Sequence, residues 1–313
     1  MPLSLRRGRV TGIQEQHEGL VRLEVDGIPC VAYPEVTGPV AVDDEVLVNS
    51  QARDLELGSG GFDVLHVNLT RGLDLGAEDG AHVMKLPYSS IQFARRHGEE
   101  DLDFPRSIDG MPVVACSLHS QVAPVCAALR GIRVVYVQLE GGALPVELSD
   151  SLRELRREGL LATTIGSGSC FGGDVDCVNV YSALAVARAL GADVTVCAIG
   201  PGVVGTETWL GHGGVAAAIA IAAAHALGGR PVLAVRVSEG DARDRHRGVS
   251  HHSEAVLSLS GDAAAVASEA DATGWRDACN GLTLSHMGRG RDDDPAFFAA
   301  AYAAGVRARS LIG

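Results

Sequence analysis

Hydrophobic and polar positions along the chain follow one period in its first quarter and another in the rest. Leu20-Val-Arg-Leu-Glu-Val-Asp26 alternates apolar and polar residues at period two, and Asp26-Gly27 is a hairpin turn signal. Ile28 to Tyr33 reads as the returning strand, and Glu45 to Asn49 as another after Asp43-Asp44. Gly58-Ser-Gly-Gly61 supplies a flexible turn before Phe62 to Leu69. Short alternating strands with turn residues between them predict a small antiparallel β-barrel-like domain over residues 1–70. Residues 71–110 are rich in Gly, Asp and Glu and are interrupted by Pro87 and Pro105. Apart from the strand-like Ala81 to Tyr88, they read as a connecting segment.

From Val113 onward, strands of continuous apolar residues alternate with helical segments. The strands are Val113–Leu118, Arg133–Leu139, Leu160–Ile165, Asp193–Ile199 and Val232–Val237. Between them the pattern predicts helices over Val122–Leu129, from a capping box at Ser151-Leu-Arg-Glu154 to Glu158, from Asp176 to Leu190, and over Val215–Leu227. Ser250 can cap a helix reaching Ser260, Asp262 to Ala270 reads as another, and Asp292-Asp-Asp294-Pro295 opens a last one over Ala296–Arg307. Strands this apolar belong in a parallel sheet covered on both faces. The expected fold class is therefore α/β: the barrel-like domain, followed over residues 111–313 by a three-layer, Rossmann-like α/β/α domain with a mainly parallel sheet.

In such sheets ligands bind beyond the carboxyl ends of the strands. The five predicted strands are followed by His119-Ser-Gln121, Glu140-Gly-Gly142, the loop 166–174, the loop 200–214 and the connection Ser238 to Glu254. Gly200-x-Gly-x-x-Gly205 matches the dinucleotide fingerprint in letters, but nine residues separate it from the next helix and no acidic residue follows at the required distance. A glycine-hinged active-site loop fits better, with Gly202, Gly205, Thr206 and His212 at a ligand. Gly166, Gly168, Gly172 and Gly173 lack the Lys-Ser/Thr pair of a P-loop, yet their backbone N–H groups suit an anion. Asp174 closes that loop, and His119 follows the first strand.

The connection after the fifth strand concentrates titratable groups. It holds Arg243, Arg245 and Arg247, His246, His251 and His252, and Asp241 and Asp244. Histidines suggest a metal, but interleaved arginines oppose a divalent cation electrostatically, and adjacent histidines project in different directions. The guanidinium fork suits phosphate or carboxylate, and the helix that Ser250 caps adds free N–H groups. No metal site is therefore predicted. Instead Arg243, Arg245, Arg247 and Ser250 are expected to hold an anionic, phosphate- or nucleotide-like small molecule. In an enzyme, His246, His251, His252 and Asp174 supply acid–base catalysis for hydrolysis or group transfer. Ser285, His286, Arg289 and Arg291 can fold back over the cleft. Two rival readings are a non-catalytic sensor or homo-oligomeric assembly protein, and a metal-dependent hydrolase built on the His/Asp cluster.

Charge and composition narrow the partners. A formal charge of -13 over 313 residues argues against a nucleic-acid surface. Seven scattered cysteines without a Cys-x-x-Cys pair imply reduced thiols and a cytoplasmic protein. The N-terminus lacks the apolar region of a signal peptide, and the most apolar run, Val215 to Leu227, is too short for a membrane span. No sequence feature names a cofactor.

Four segments carry a resemblance to a known family: Val64 to Gly72, Gly80 to Tyr88, Phe171-Gly-Gly-Asp174 with Val178-Asn-Val-Tyr181, and Arg245-His-Arg-Gly-Val-Ser-His-His252. With them the chain resembles, over nearly its whole length, the bacterial family called domain of unknown function 3866. The resemblance implies no activity.

Overall fold

The computed structural model describes residues 3–57, 61–72, 75–76 and 78–313. Gly58, Ser59 and Gly60 of the predicted flexible turn lie outside the described residues. The chain divides into two compact units, 1–95 and 96–313.

In the first unit β1 (Leu5–Gln16), β2 (Val21–Val25), β3 (Ile28–Ala32), β4 (Glu45–Asn49) and β5 (Asp63–Asn68) close a barrel in the order β1-β2-β3-β5-β4. The long β1 pairs with both β2 and β4, bending through register shifts at Val10/Gly12 and Ile13/Glu15. All pairs are antiparallel except β3 with β5, which is parallel. Asp26 and Gly27 both adopt positive φ, as a two-residue hairpin turn requires. Val10, Leu23, Val25, Val46 and Val48 fill the interior. A separate hairpin follows, β6 (Val83–Lys85) with β7 (Phe93–Arg95). It is shorter than the strand-like Ala81–Tyr88, because Leu86 and Tyr88 take left-handed φ on either side of Pro87.

The second unit holds a seven-stranded sheet. Its strands are β8 (Pro112–Cys116), β9 (Val134–Leu139), β10 (Thr163–Ser167), β11 (Val175–Cys177), β12 (Val194–Ile199), β13 (Arg230–Ala234) and, after the small hairpin of β14 (Val237–Ser238) and β15 (Gly248–Val249), β16 (Ala265–Val266). The sheet order is β11-β10-β9-β12-β8-β13-β16, every neighbour parallel. One face is covered by α1 (Val122–Ala128), α2 (Asp150–Arg157) and α6 (Pro295–Arg309); the other by α3 (Val180–Ala189), α4 (Ala216–Ala226) and α5 (His251–Ser260). Burial on both faces is why these strands read as unbroken apolar runs. Among the described residues no helix is long and apolar enough to cross a membrane. All seven cysteines are buried thiols outside any disulfide.

Several element ends differ from expectation for local reasons. Ser149, not Ser151, caps α2, its Oγ accepting from Leu152 N–H. Asp176 lies within β11, opposite Gly166 of β10, so it caps nothing; Asn179 caps α3, accepting from Tyr181 and Ser182 N–H. No α-helix forms over Asp262–Ala270, where short 3-10 turns at Gly261–Ala263 and Glu269–Ala272 flank a strand. Gly261, with φ of 53°, stops α5, and the chain then adds β16 to the sheet edge beside β13. The strand β13 ends at Ala234, which frees Arg236 from the ladder.

The crevice of a doubly wound sheet opens where successive connections depart in opposite directions. Here β9 leads outward to β10 while β12 leads the other way to β13, so the crevice lies between β9 and β12. Glycine backbone fills it. A Cβ on Gly213 would lie 1.8 Å from the Gly141 carbonyl oxygen, and one on Gly142 would lie 2.2 Å from that of Gly200. Ala143 N–H donates to Pro201 O and Val204 N–H to Gly141 O, stitching the two loops together. Gly213→Ala must push this backbone apart. It is expected to destabilise the second unit by about 3 kcal/mol, the upper end of ordinary overpacking. The urea midpoint of tryptophan fluorescence checks this, since Trp209 and Trp275 both lie in this unit; an unchanged midpoint would show that the loops part without cost.

Candidate functional site

The loops after β12 and β13 meet in a cluster of imidazoles and guanidiniums. The first forms a small hairpin: Gly205 bridges His212, Thr206 N–H donates to Gly211 O, and Thr206 and Thr208 hydroxyls touch at 2.9 Å. Its return arm delivers His212 to the start of α4, beside the end of β8, where a Cβ on Gly214 would meet both His212 Nδ1 and Ser117 O at 3.1 Å. The second connection is pinned at its base. Arg236 N–H donates to Ser253 Oγ and Ser250 N–H to Arg236 O, so the first turn of α5 stands against the end of β13. The pairing of β14 with β15 closes the loop between them.

An ionic network underlies the cluster. Asp241 and Asp294, both buried, face three guanidiniums. Asp241 accepts from Arg243 through both carboxylate oxygens at 3.0 Å, from Arg236 at 3.3 Å and from Arg289 at 3.2 Å. Asp294 accepts from Ser238 Oγ, from Glu239 and Gly240 N–H, and from Arg289 Nε. The hydrogen bond from Arg243 is the main reason that Asp241 stays ionised far below the usual carboxylate range. Burial works against ionising Asp294, but its donors outweigh that cost and lower its pKa. Arg236 is 2 % exposed, and burial lowers it to about 10, which leaves it charged at neutral pH. Three guanidiniums against two carboxylates leave one positive charge uncompensated.

Four imidazoles stand on this network. His212 stacks on His252 with ring centroids 3.8 Å apart, and His251 and His246 meet His252 edge-on at 4.5 and 5.0 Å. Burial first, then the nearby guanidiniums, holds His246 at about 3. Burial, His212 and Arg236 together hold His252 at about 2. These two rings are neutral at physiological pH, and their hydrogen bonds fix where protons sit. Arginine can only donate, so Arg236 Nη1, 3.2 Å from His252 Nδ1, places the His252 proton on Nε2. His251 Nδ1 lies 3.2 Å from Arg245 O, a carbonyl that can only accept, so in the neutral ring Nε2 keeps a bare lone pair. That nitrogen is buried without a hydrogen-bond partner, as are both ring nitrogens of His212 and the Nε of Arg236 and of Arg245. Nitrogens of His212, His251 and His252 that could ligate a metal lie within 4.8 Å of one another.

The structure thus gathers His212, His246, His251, His252, Ser250, Arg243 and Arg245. Ser250 caps α5 through His252 N–H and touches His246 Nδ1 at 2.7 Å. Arg245 reaches Glu207 of the hairpin at 2.7 Å, whereas Arg247 points outward beside the exposed Asp244. His286 and Arg289 do fold back onto the cluster, with His286 stacked on Phe297 at 3.8 Å and 3.2 Å from Ser120 Oγ.

The remaining candidates have other partners. Asp174 accepts from Thr164 N–H and Oγ and from Arg156, bracing β10 against α2. A Cβ on Gly166 would meet Asp176 Oδ1 at 2.4 Å, one on Gly168 would meet Glu140 at 2.7 Å, and one on Gly173 would meet Thr164 O at 3.0 Å. Gly172 takes positive φ, as does Gly202 at the foot of the hairpin. His119 bridges Ser149 Oγ at 2.6 Å and Ile199 O at 3.2 Å, over the ends of β9 and β12. Sequence reasoning passed over Arg236 and Asp294. A lone arginine inside the apolar run Val232–Val237 was the available signal for the first. Asp294 looked like one of three solvated carboxylates, yet it is wholly buried.

A family model described as a protein of unknown function (DUF3866) matches residues 29–273. The chain belongs to DUF3866. That match spans the hairpin of His212 and the whole connection from Ser238 to Glu254, so the imidazole cluster lies within the part of this DUF3866 protein that its family shares. No curated protein matches the chain.

Proposed function

We propose that this DUF3866 protein binds an anionic small molecule, bearing phosphate or carboxylate, at the imidazole–guanidinium cluster beyond β12 and β13. The uncompensated guanidinium carries the reading. The three guanidiniums share two carboxylates, and an anion supplies the negative charge that this sharing lacks. The donors suit it: Arg236 Nε–H and Arg245 Nε–H are buried and unpartnered, and His252 presents Nε2–H. Beside them His251 Nε2 offers a lone pair, so a proton acceptor adjoins an array of donors. Hydrolysis or group transfer on the bound anion is the matching reaction class, with His251 as general base and His252 as hydrogen-bond donor.

Thermal melts of the full chain, followed by tryptophan fluorescence in inorganic phosphate and in sodium chloride of equal ionic strength, test the binding. Phosphate is expected to raise the midpoint saturably, by the stabilisation that any ligand specific for the native state confers. Arg243→Gln, which restores charge balance at a half-exposed position, is expected to weaken that effect about tenfold. Equal shifts in phosphate and chloride would overturn the reading.

A further inference from the structure

We infer that His212, His251 and His252 also hold a divalent transition-metal ion, and that the bound anion completes its coordination. This rests on the anion site proposed above, and it takes His251 Nε2 and His252 out of the roles of base and donor given them there, since each ring then spends its lone pair on the metal. Three imidazoles from two loops bring candidate ligand nitrogens within 4.8 Å of one another, and a tetrahedral set at zinc-like bond lengths needs roughly 3.3 Å. Metal binding must close that gap by side-chain rotation. His251 is already arranged as metal-bound histidines are: its Nδ1–H is held by a backbone carbonyl and its Nε2 is bare, buried and unpartnered. His212 has both nitrogens buried with no hydrogen bond of good geometry, its contact with the backbone of Trp209 being weak, an expense that a ligand repays.

Two features oppose a cation alone. Arg236 occupies His252 Nδ1, so His252 must turn its ring or give up that bond before it can ligate. The surrounding network also already carries one positive charge too many. An anion in the fourth position answers both: it draws Arg236 toward itself and offsets the added charge. Metal and anion binding are therefore coupled, each strengthening the other by the same factor. Asp241 and Asp294 are committed to arginines, which leaves imidazole as the ligand type and favours zinc, cobalt or nickel over magnesium or calcium.

Cobalt(II) provides the test, because its visible absorption separates four-coordinate imidazole binding from the hexa-aqua ion. The full chain is titrated with cobalt(II) alone, with phosphate alone, and with cobalt(II) in saturating phosphate. Phosphate is expected to tighten cobalt(II) about tenfold or more and to give the intense four-coordinate spectrum. His212→Ala and His251→Asn should each weaken cobalt(II) by a similar factor while their melts stay cooperative. Arg243→Gln, which removes the surplus charge, should tighten cobalt(II) in the absence of phosphate. Cobalt(II) affinity that neither histidine variant changes, or an unchanged aqua spectrum, overturns the metal inference. Phosphate binding without cobalt(II) uptake overturns the metal alone, whereas cobalt(II) uptake indifferent to phosphate overturns the coupling, and the anion reading falls with it where phosphate alone also fails to raise the melting midpoint above that in chloride.

Discussion

Asp241→Asn is expected to cost the second unit about 3–5 kcal/mol, the range observed when one partner of a buried ion pair is removed. Asparagine keeps the shape of the side chain but leaves Arg236, Arg243 and Arg289 with Asp294 as their remaining carboxylate. Arg236 suffers most. It is 2 % exposed, its other hydrogen bond goes to a neutral ring, and its Nε has no partner. In a unit of this size the loss corresponds to a fall of about 10 °C in the fluorescence-monitored midpoint. The same variant doubles the surplus positive charge, so added phosphate should recover more stability in it than in the parent chain. A midpoint within a degree or two of the parent would mean that water reaches Arg236 and that the network is not a sealed ionic core.

Acidification is expected to unfold the second unit well before its carboxylates titrate. His286 is held at about 3 by burial, with Arg236 and Arg289 adding repulsion, and His119 at about 4 by burial. Asp294 and Asp241 also face His286 and act in the opposite sense without prevailing. Both folded-state values lie below the ~6.5 of an unfolded histidine, so between these limits the unfolded chain binds more protons. The stability they contribute is complete above pH ~6.5 and is lost as the pH falls through the window toward ~4. Each histidine contributes about 1.4 kcal/mol per pH unit there, so this pair should remove roughly 4 kcal/mol between pH 6.5 and pH 5, and His246 and His252, also held low, add to the loss. Urea midpoints at pH 7.5, 6 and 5 measure this, and His119→Gln should flatten the slope by about a quarter, because His246 and His252 are held low as well. A flat profile over that interval would show that these rings protonate freely in the folded protein.

Much of the framework was legible from local pattern. Period-two alternation located β2 to β5 within a residue or two, and apolar runs located β8, β9 and β12. The shift from one period to the other separated barrel from sheet because each period reflects which faces of an element are buried. Errors fell where local chemistry had a tertiary competitor. Asp176 has a capping residue's chemistry but is consumed by pairing with β10, and Asp262–Ala270 gives up a helix to extend the sheet edge. The glycines of 200–205 match a phosphate-binding spelling, yet Gly200 exists for contact with the backbone of Ala143.

By itself the sequence determined the two-part architecture, the parallel sheet, and the loop richest in titratable groups. These follow from periodicity and from what each residue type can do alone. Only the tertiary structure decided which charges cancel. Arg236 hides in an apolar run, Asp294 in an acidic one and His212 in a glycine-rich hairpin, separated by up to 82 residues, and none announces the others. Their meeting above β12 and β13 converts a loop of scattered charge into a packed imidazole cluster on a network with one guanidinium to spare. Burial is the reason: in water these groups would be independent, and only desolvation makes each pairing, tautomer and surplus charge matter.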